Sequence, residues 1–233
     1  MTHNLPAGRA MSAAVKICGL TRAEDAAAAA AAGARFGGLV FFPRSPRHLD
    51  VPRAAALART MPEELARVGL FVNPTDEALD AVLAEVPLDI VQLHGGETPA
   101  RVAEVRARTG LPVMKAVGIA APADLDRLWD YGLVADLLLV DAKPAPGAAL
   151  PGGNGFAFDW RLLVGRRFLK PWMLAGGLTP DNVAEAIRLT GAPAVDVSSG
   201  VESAPGVKDA DLIRAFARAA GADAAAEAGA GSP

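Results

Sequence analysis

Eight short apolar runs recur along this chain, at residues 15–18, 36–42, 67–72, 89–93, 112–117, 135–140, 171–175 and 194–197. The residues between and after them predict helices over 22–32, 52–60, 76–85, 99–108, 123–131, 159–163, 181–189 and 209–220. A strand parallel to its predecessor needs a crossover, usually a helix, so repeated strand–helix units imply a parallel sheet. Eight units in 233 residues fit a closed (β/α)₈ barrel of the α/β class better than an open doubly wound sheet. No G-x-G-x-x-G opens the first helix, which removes the dinucleotide-binding form of the open sheet. The expected organisation is an N-terminal extension over 1–14, one barrel domain over 15–220, and a frayed Ala/Gly-rich tail over 221–233.

Composition narrows the possible partners. Hydrophobic residues make up 52% of the chain and aromatics only 5%, so the core should be large and aliphatic. A net charge of −3 lacks the basic excess that a nucleic acid demands. A single cysteine excludes an internal disulfide and a cysteine-cluster zinc site. No apolar run reaches the roughly 20 residues of a membrane span. His3, His48 and His94 have no companions at ligand spacing, so no metal is expected. Residues 1–14 lack the charged start and apolar middle of a secretory leader, and a cytoplasmic protein is expected. No exposed apolar stripe is legible, so a monomer is expected.

Barrel enzymes place their chemistry at the carboxyl ends of the strands. Period-two alternation puts Lys16 and Cys18 on one face of the first strand, which Gly19 and a helix-capping Thr21 follow, and Leu137, Leu139 and Asp141 on one face of the sixth. The fourth strand ends in Gln92-Leu93-His94-Gly95, and the eighth carries Asp196 and Ser198 on one face. Each has a plain alternative: a lone cysteine as a small core residue, Asp141 as a turn cap, Gln92 and His94 as buried hydrogen-bonded groups. Together they form a polar ring suited to acid–base work.

Two loops suggest a phosphate. Gly176-Gly177-Leu178-Thr179-Pro180 follows the seventh strand, with Thr179 as the expected cap and Pro180 as the first helical residue. Ser198-Ser199-Gly200-Val201 follows the eighth. Glycines permit close backbone approach, helix starts present free N–H groups to an anion, and these are the loops where such barrels bind phosphate. Gly152-Gly153-Asn154-Gly155 is a candidate third contributor. Arg47, in the loop after the second strand, is either solvated or a planar fork for a substrate carboxylate.

These motifs resemble phosphoribosylanthranilate isomerase of tryptophan biosynthesis. The resemblance rests on Val15-Lys16-Ile17-Cys18-Gly19-Leu20-Thr21, Phe42-Pro43-Arg44-Ser45-Pro46-Arg47, Val91-Gln92-Leu93-His94-Gly95, Asp141 with Lys143, Gly176-Gly177-Leu178 with Asn182, and Asp196-Val197-Ser198-Ser199-Gly200-Val201-Glu202, in the family's order. It implies an Amadori rearrangement of N-(5-phosphoribosyl)anthranilate with no metal or organic cofactor. Asp141 would be the general acid that opens the furanose ring and Cys18 the general base at C2′. Arg47 would hold the anthranilate carboxylate, with Gln92, His94 and Asp196 as further substrate-binding groups. Gly155, Gly176, Gly177, Ser199 and Gly200 would hold the phosphate. A free thiol is a poor base at neutral pH, and Lys16 on the same face is a candidate to lower its pKa.

The sequence departs from common family residues at Ala142 and Ala175, neither of which removes a catalytic group, and at Phe156 and Ala157, which bear on closure of the loop after the sixth strand. An indole-glycerol-phosphate synthase would want a lysine in the mouth, yet the third strand runs out as Val68-Gly69-Leu70-Phe71-Val72-Asn73. A histidine-pathway aminoaldose isomerase would want a carboxylate where Cys18 stands. A phosphosugar-binding barrel without turnover is disfavoured by the presence of both Cys18 and Asp141.

Overall fold

Segments such as Leu137-Leu138-Leu139-Val140 are apolar on both faces, as a strand covered on both sides requires. The computed structural model describes residues 12–143 and 157–222. In it, strands β1 (Ala14–Cys18), β2 (Phe36–Phe41), β3 (Ala66–Phe71), β4 (Ile90–Leu93), β5 (Val113–Ile119), β6 (Leu137–Ala142), β7 (Trp172–Leu174) and β8 (Ala194–Val197) form a closed barrel in chain order. All neighbours are parallel, and β8 closes onto β1 with Lys16 opposite Asp196.

Helices α1 (Ala23–Ala31), α2 (Val51–Thr60), α3 (Asp76–Glu85), α4 (Pro99–Thr109), α5 (Asp126–Val134), α6 (Val183–Thr190) and α7 (Ala210–Ala219) surround it. Several starts follow the expected chemistry: the side chains of Asp50, Thr75, Thr98 and Asp209 each accept a first-turn backbone N–H. Three expectations fail locally. After β6 the predicted helix over 159–163 is a single 3₁₀ turn, Trp160–Leu163, because Asp159 caps it and Gly165 soon follows at φ +70°. Thr21 does not cap α1, since its hydroxyl donates to the Gly206 carbonyl. Nor does Thr179 cap α6: its own N–H is capped by the Asn182 carboxamide, and the helix starts three residues past Pro180.

Period two sorts the core. One large cluster, with Ile17, Leu39, Leu93, Val117, Val140 and Val197, packs the outside of the barrel against Ala26, Ala58, Ala186 and Phe216 of the helices. A second cluster of Val68, Ile90, Met114, Ala116, Leu139, Met173, Ala175 and Ala194 fills the barrel itself. The same-face positions continue from that filling toward the carboxyl ends as Ala14-Lys16-Cys18, Ile90-Gln92-His94, Leu137-Leu139-Asp141 and Ala194-Asp196-Ser198. The polar ring therefore stands on an apolar plug. The core is not wholly aliphatic, since Lys16 and Lys115 are fully buried within it.

The barrel's packing reaches slightly past 15–220. Ala13 is buried and donates its N–H to the Ala220 carbonyl, and Ala222 is buried with its N–H on Ala217. The surface also departs from expectation. Trp129, Leu133 and Leu169 are large apolar side chains left exposed. Helix α5 is apolar around much of its girth, and burial of Leu128 and Tyr131 turns Trp129 and Leu133 outward. No helix among the described residues is long and apolar enough to cross a membrane.

Candidate active site

Cys18 ends β1 beside Val40 and Leu70, an apolar floor under one side of the mouth. Gly38 on β2 makes room for it: a Cβ there would come 3.0 Å from the Cys18 sulfur and 3.3 Å from Lys16 Nζ. Lys16 donates to Asp196 Oδ1 at 2.8 Å, both residues being buried. Burial pushes the Cys18 thiol up; Lys16 and Lys208 pull it down and Asp196 pushes it further up, leaving a net rise. Lys16 thus acts in the direction expected of it, but Asp196 neutralises it and desolvation wins. Ser198 braces this strand end by donating its hydroxyl to the Cys18 carbonyl at 3.0 Å.

Arg47 reaches this side by lying across Gly19. A Cβ on Gly19 would sit 2.4 Å from Arg47 Cδ, and its φ of +80° favours glycine independently. The guanidinium does not stand alone, as the sequence suggested. Its Nε and Nη2 hold the Glu202 carboxylate at 2.7 and 2.8 Å. Glu202 opens a hairpin, β9 (Glu202–Ala204) and β10 (Val207–Lys208), whose Lys208 Nζ also donates to Glu202 at 2.7 Å. Burial alone would raise the Glu202 pKa, but Arg47 and Lys208 outweigh it and hold the carboxyl below its ordinary range. Sequence reading missed Lys208 because a lysine before the helix-capping Asp209 carries no distinctive local signal.

Across the mouth, Asp141 is held at both oxygens. Oδ1 accepts from the Ala142 N–H at 2.7 Å, and Oδ2 lies 3.2 Å from His94 Nε2. His94 Nδ1 is 2.8 Å from the Gln92 carboxamide nitrogen; with that amide as donor, the imidazole proton falls on Nε2 and faces Asp141. His94 therefore contacts Asp141 directly, and Gln92 reaches it only through His94. The loop carrying His94 is knotted by a second buried pair the sequence did not reveal: Lys115 donates to Glu97 at 2.7 Å and to the Gly95 carbonyl at 2.8 Å.

The glycine loops lie between these two sides, after β7 and β8. Gly176, at φ +87°, would place a Cβ 2.6 Å from the Ala142 nitrogen and 3.0 Å from Asp141 Oδ1, so its bareness serves the acid. Gly177 has φ +63°, and its carbonyl accepts from Asn182. A Cβ on Gly200 would fall 2.0 Å from the Leu178 carbonyl oxygen, so the two loops lie against each other. Ser199 opens a 3₁₀ turn, Ser199–Val201. Gly155 with its glycine-rich neighbours, and Phe156, lie outside the described residues.

Fold and mouth together define a class: a (β/α)₈-barrel enzyme with acid–base groups ringing the carboxyl ends of its strands. The model of the N-(5′-phosphoribosyl)anthranilate (PRA) isomerase family matches residues 15–219. The chain belongs to that family. The N-(5′-phosphoribosyl)anthranilate isomerase of Paracoccus denitrificans is 73% identical over 206 residues, 88% of this chain and 96% of the relative. The crystal structure of phosphoribosyl anthranilate isomerase from Thermotoga maritima superposes with a TM-score of 0.81 at 38% identity, covering 90% of this chain and 98% of that one. A structure of such an isomerase in complex with reduced 1-(o-carboxyphenylamino)-1-deoxyribulose 5-phosphate gives 0.78 at 37%, with coverage of 90% and 98%.

Proposed function

We propose that this protein isomerises N-(5′-phosphoribosyl)anthranilate to 1-(2-carboxyphenylamino)-1-deoxyribulose 5-phosphate, with Asp141 as general acid and Cys18 as general base. The observation that carries the assignment is topological. The base's strand β1 and the acid's strand β6 are separated around the barrel only by β7 and β8, whose loops supply Gly177, Ser199 and Gly200. A phosphate anchored on those loops sets its sugar between thiol and carboxyl.

The Asp141 carboxyl gives its proton to the furanose ring oxygen as the C1′–O bond breaks and the anilino nitrogen forms C1′=N. The Cys18 thiolate then removes the C2′ proton, and the C2′–H electrons form C1′=C2′ while the nitrogen regains its lone pair. The enolamine takes a proton at C1′ and loses its enol proton, leaving the C2′ ketone. Asp141 ends short of a proton and Cys18 ends with one, so exchange with water resets the pair. The N–H of His94 supports the carboxylate that ring opening leaves behind, as a donor to an anion should. Arg47 receives the anthranilate carboxylate. Asp196, tied to Lys16 and 7% exposed, shares the inward face of the mouth and meets a substrate hydroxyl.

A catalysis that needs Cys18 as a free thiol suits a reducing compartment and supports the cytoplasm. The test is the decay of substrate fluorescence with freshly generated phosphoribosylanthranilate. Catalysed decay that disappears in both Cys18→Ser and Asp141→Asn supports the assignment, and undiminished decay in either removes that residue from its role.

A further inference from the structure

A guanidinium can grip a carboxylate in two ways, side-on through Nε and Nη2 or end-on through Nη1 and Nη2. In Arg47 the side-on face is taken by Glu202 at 2.7 and 2.8 Å. Nη1 has no hydrogen-bond partner among the described residues. It is not sealed in either, since the buried side-chain polar atoms left unpaired there are His48 Nδ1, Gln92 Oε1 and Trp160 Nε1. Glu202 is also held by Lys208 Nζ at 2.7 Å and by the Gly206 N–H at 3.2 Å. Lys208 is 3% exposed, and its other contacts are the Ser198 carbonyl at 3.0 Å and hydroxyl at 3.3 Å. Two buried cations therefore share one carboxylate. The neighbouring Lys16–Asp196 pair is neutral, and burial favours the uncharged thiol of Cys18 in the resting enzyme. The cluster is short of one negative charge, and a buried excess charge is costly until something meets it.

We propose that Glu202 and Lys208 are positioning residues that turn Arg47 into a carboxylate receptor and so set the preference for a carboxylated aromatic ring. Glu202 occupies the side-on face and leaves the end-on face for the substrate. Lys208 supplies the excess charge that the substrate carboxylate completes. This deepens the reading of Arg47 given above and rests on it.

The experiment compares KM and kcat for phosphoribosylanthranilate with the inhibition constant of the N-phosphoribosyl derivative of aniline, which differs only in lacking the carboxylate. Lys208→Met keeps the Arg47–Glu202 fork and removes the excess charge. The double variant Glu202→Gln/Lys208→Met keeps the excess charge on Arg47 and removes the fork. Each should raise KM about tenfold or more while the affinity of the aniline derivative stays within about threefold, the pattern of a lost carboxylate contact; kcat does not decide the matter, because Lys208 also pulls the Cys18 thiol down. Glu202→Asp keeps every charge but shortens the reach by one methylene; it should move KM the same way, and it covers variants that do not fold. Equal weakening of both ligands, or none, in folded variants makes the pair merely structural and overturns the proposal. If Arg47→Ala itself weakens both ligands equally, it is the underlying assignment of the carboxylate to Arg47 that fails.

Discussion

Replacing Cys18 by serine should remove both the base and one limb of the pH profile. In the proposed mechanism the productive form holds one proton between Asp141 and Cys18, on the acid. Its fraction is then independent of pH wherever the pair holds a single proton, so kcat/KM should be level through neutral pH. On the alkaline side the level ends when Cys18 ionises with no proton left on Asp141. Burial raises this thiol above its ordinary value of 9.0, so the fall should come only above that pH. Serine is of similar size but does not titrate in this range. Cys18→Ser should therefore lose at least about 10²-fold in kcat, the lower end of the general-base range, and should lose the alkaline fall with it. Deuterium at C2′ should give that variant a primary isotope effect on kcat. The assay is initial-rate fluorescence from pH 6 to pH 10, spanning the thiol's ordinary value of 9.0. An alkaline fall that persists unchanged in Cys18→Ser, or one that begins near neutrality in the parent, would refute the reasoning.

Further outcomes follow from the same geometry. Asp141→Asn keeps the shape of the acid and removes its proton, so kcat should fall at least about 10²-fold with little C2′ isotope effect, because ring opening has become limiting. Gly200→Ala forces a Cβ to 2.0 Å from the Leu178 carbonyl, so the two loops must part. Protection by inorganic phosphate against thermal unfolding should drop, and full protection in a folded variant would move the anion site elsewhere. Lys16→Met leaves Asp196 buried and unpaired, which should cost about 3–5 kcal/mol in urea unfolding, whereas Lys16→Met/Asp196→Leu should recover most of it. Stability should also decline above pH 9.0, because a raised thiol stabilises the fold below its ordinary pKa and loses that contribution as pH climbs through the raised one.

Much of this protein is written locally. Alternation within four to seven residues sets which face of a strand is apolar, and by itself it puts Cys18, Asp141 and Asp196 on inward faces. Caps such as Asp50 and Thr98 act within three residues of themselves, so they too are legible. Where a local cue misled, a distant partner had intervened: Thr21 reaches Gly206 instead of its own helix. The charged partners are another matter. Lys16 and Asp196 lie 180 residues apart, Arg47 and Glu202 155, His94 and Asp141 47. Sequence alone presents each as an isolated polar residue that solvent or a substrate could satisfy equally well. Only closure of β8 onto β1 decides that Lys16 is answered by Asp196, and only the hairpin after β8 decides that Arg47 arrives with one face already occupied. Burial in a closed barrel removes water as a partner, so tertiary geometry, rather than residue type, determines which charges neutralise one another and which is left for the substrate.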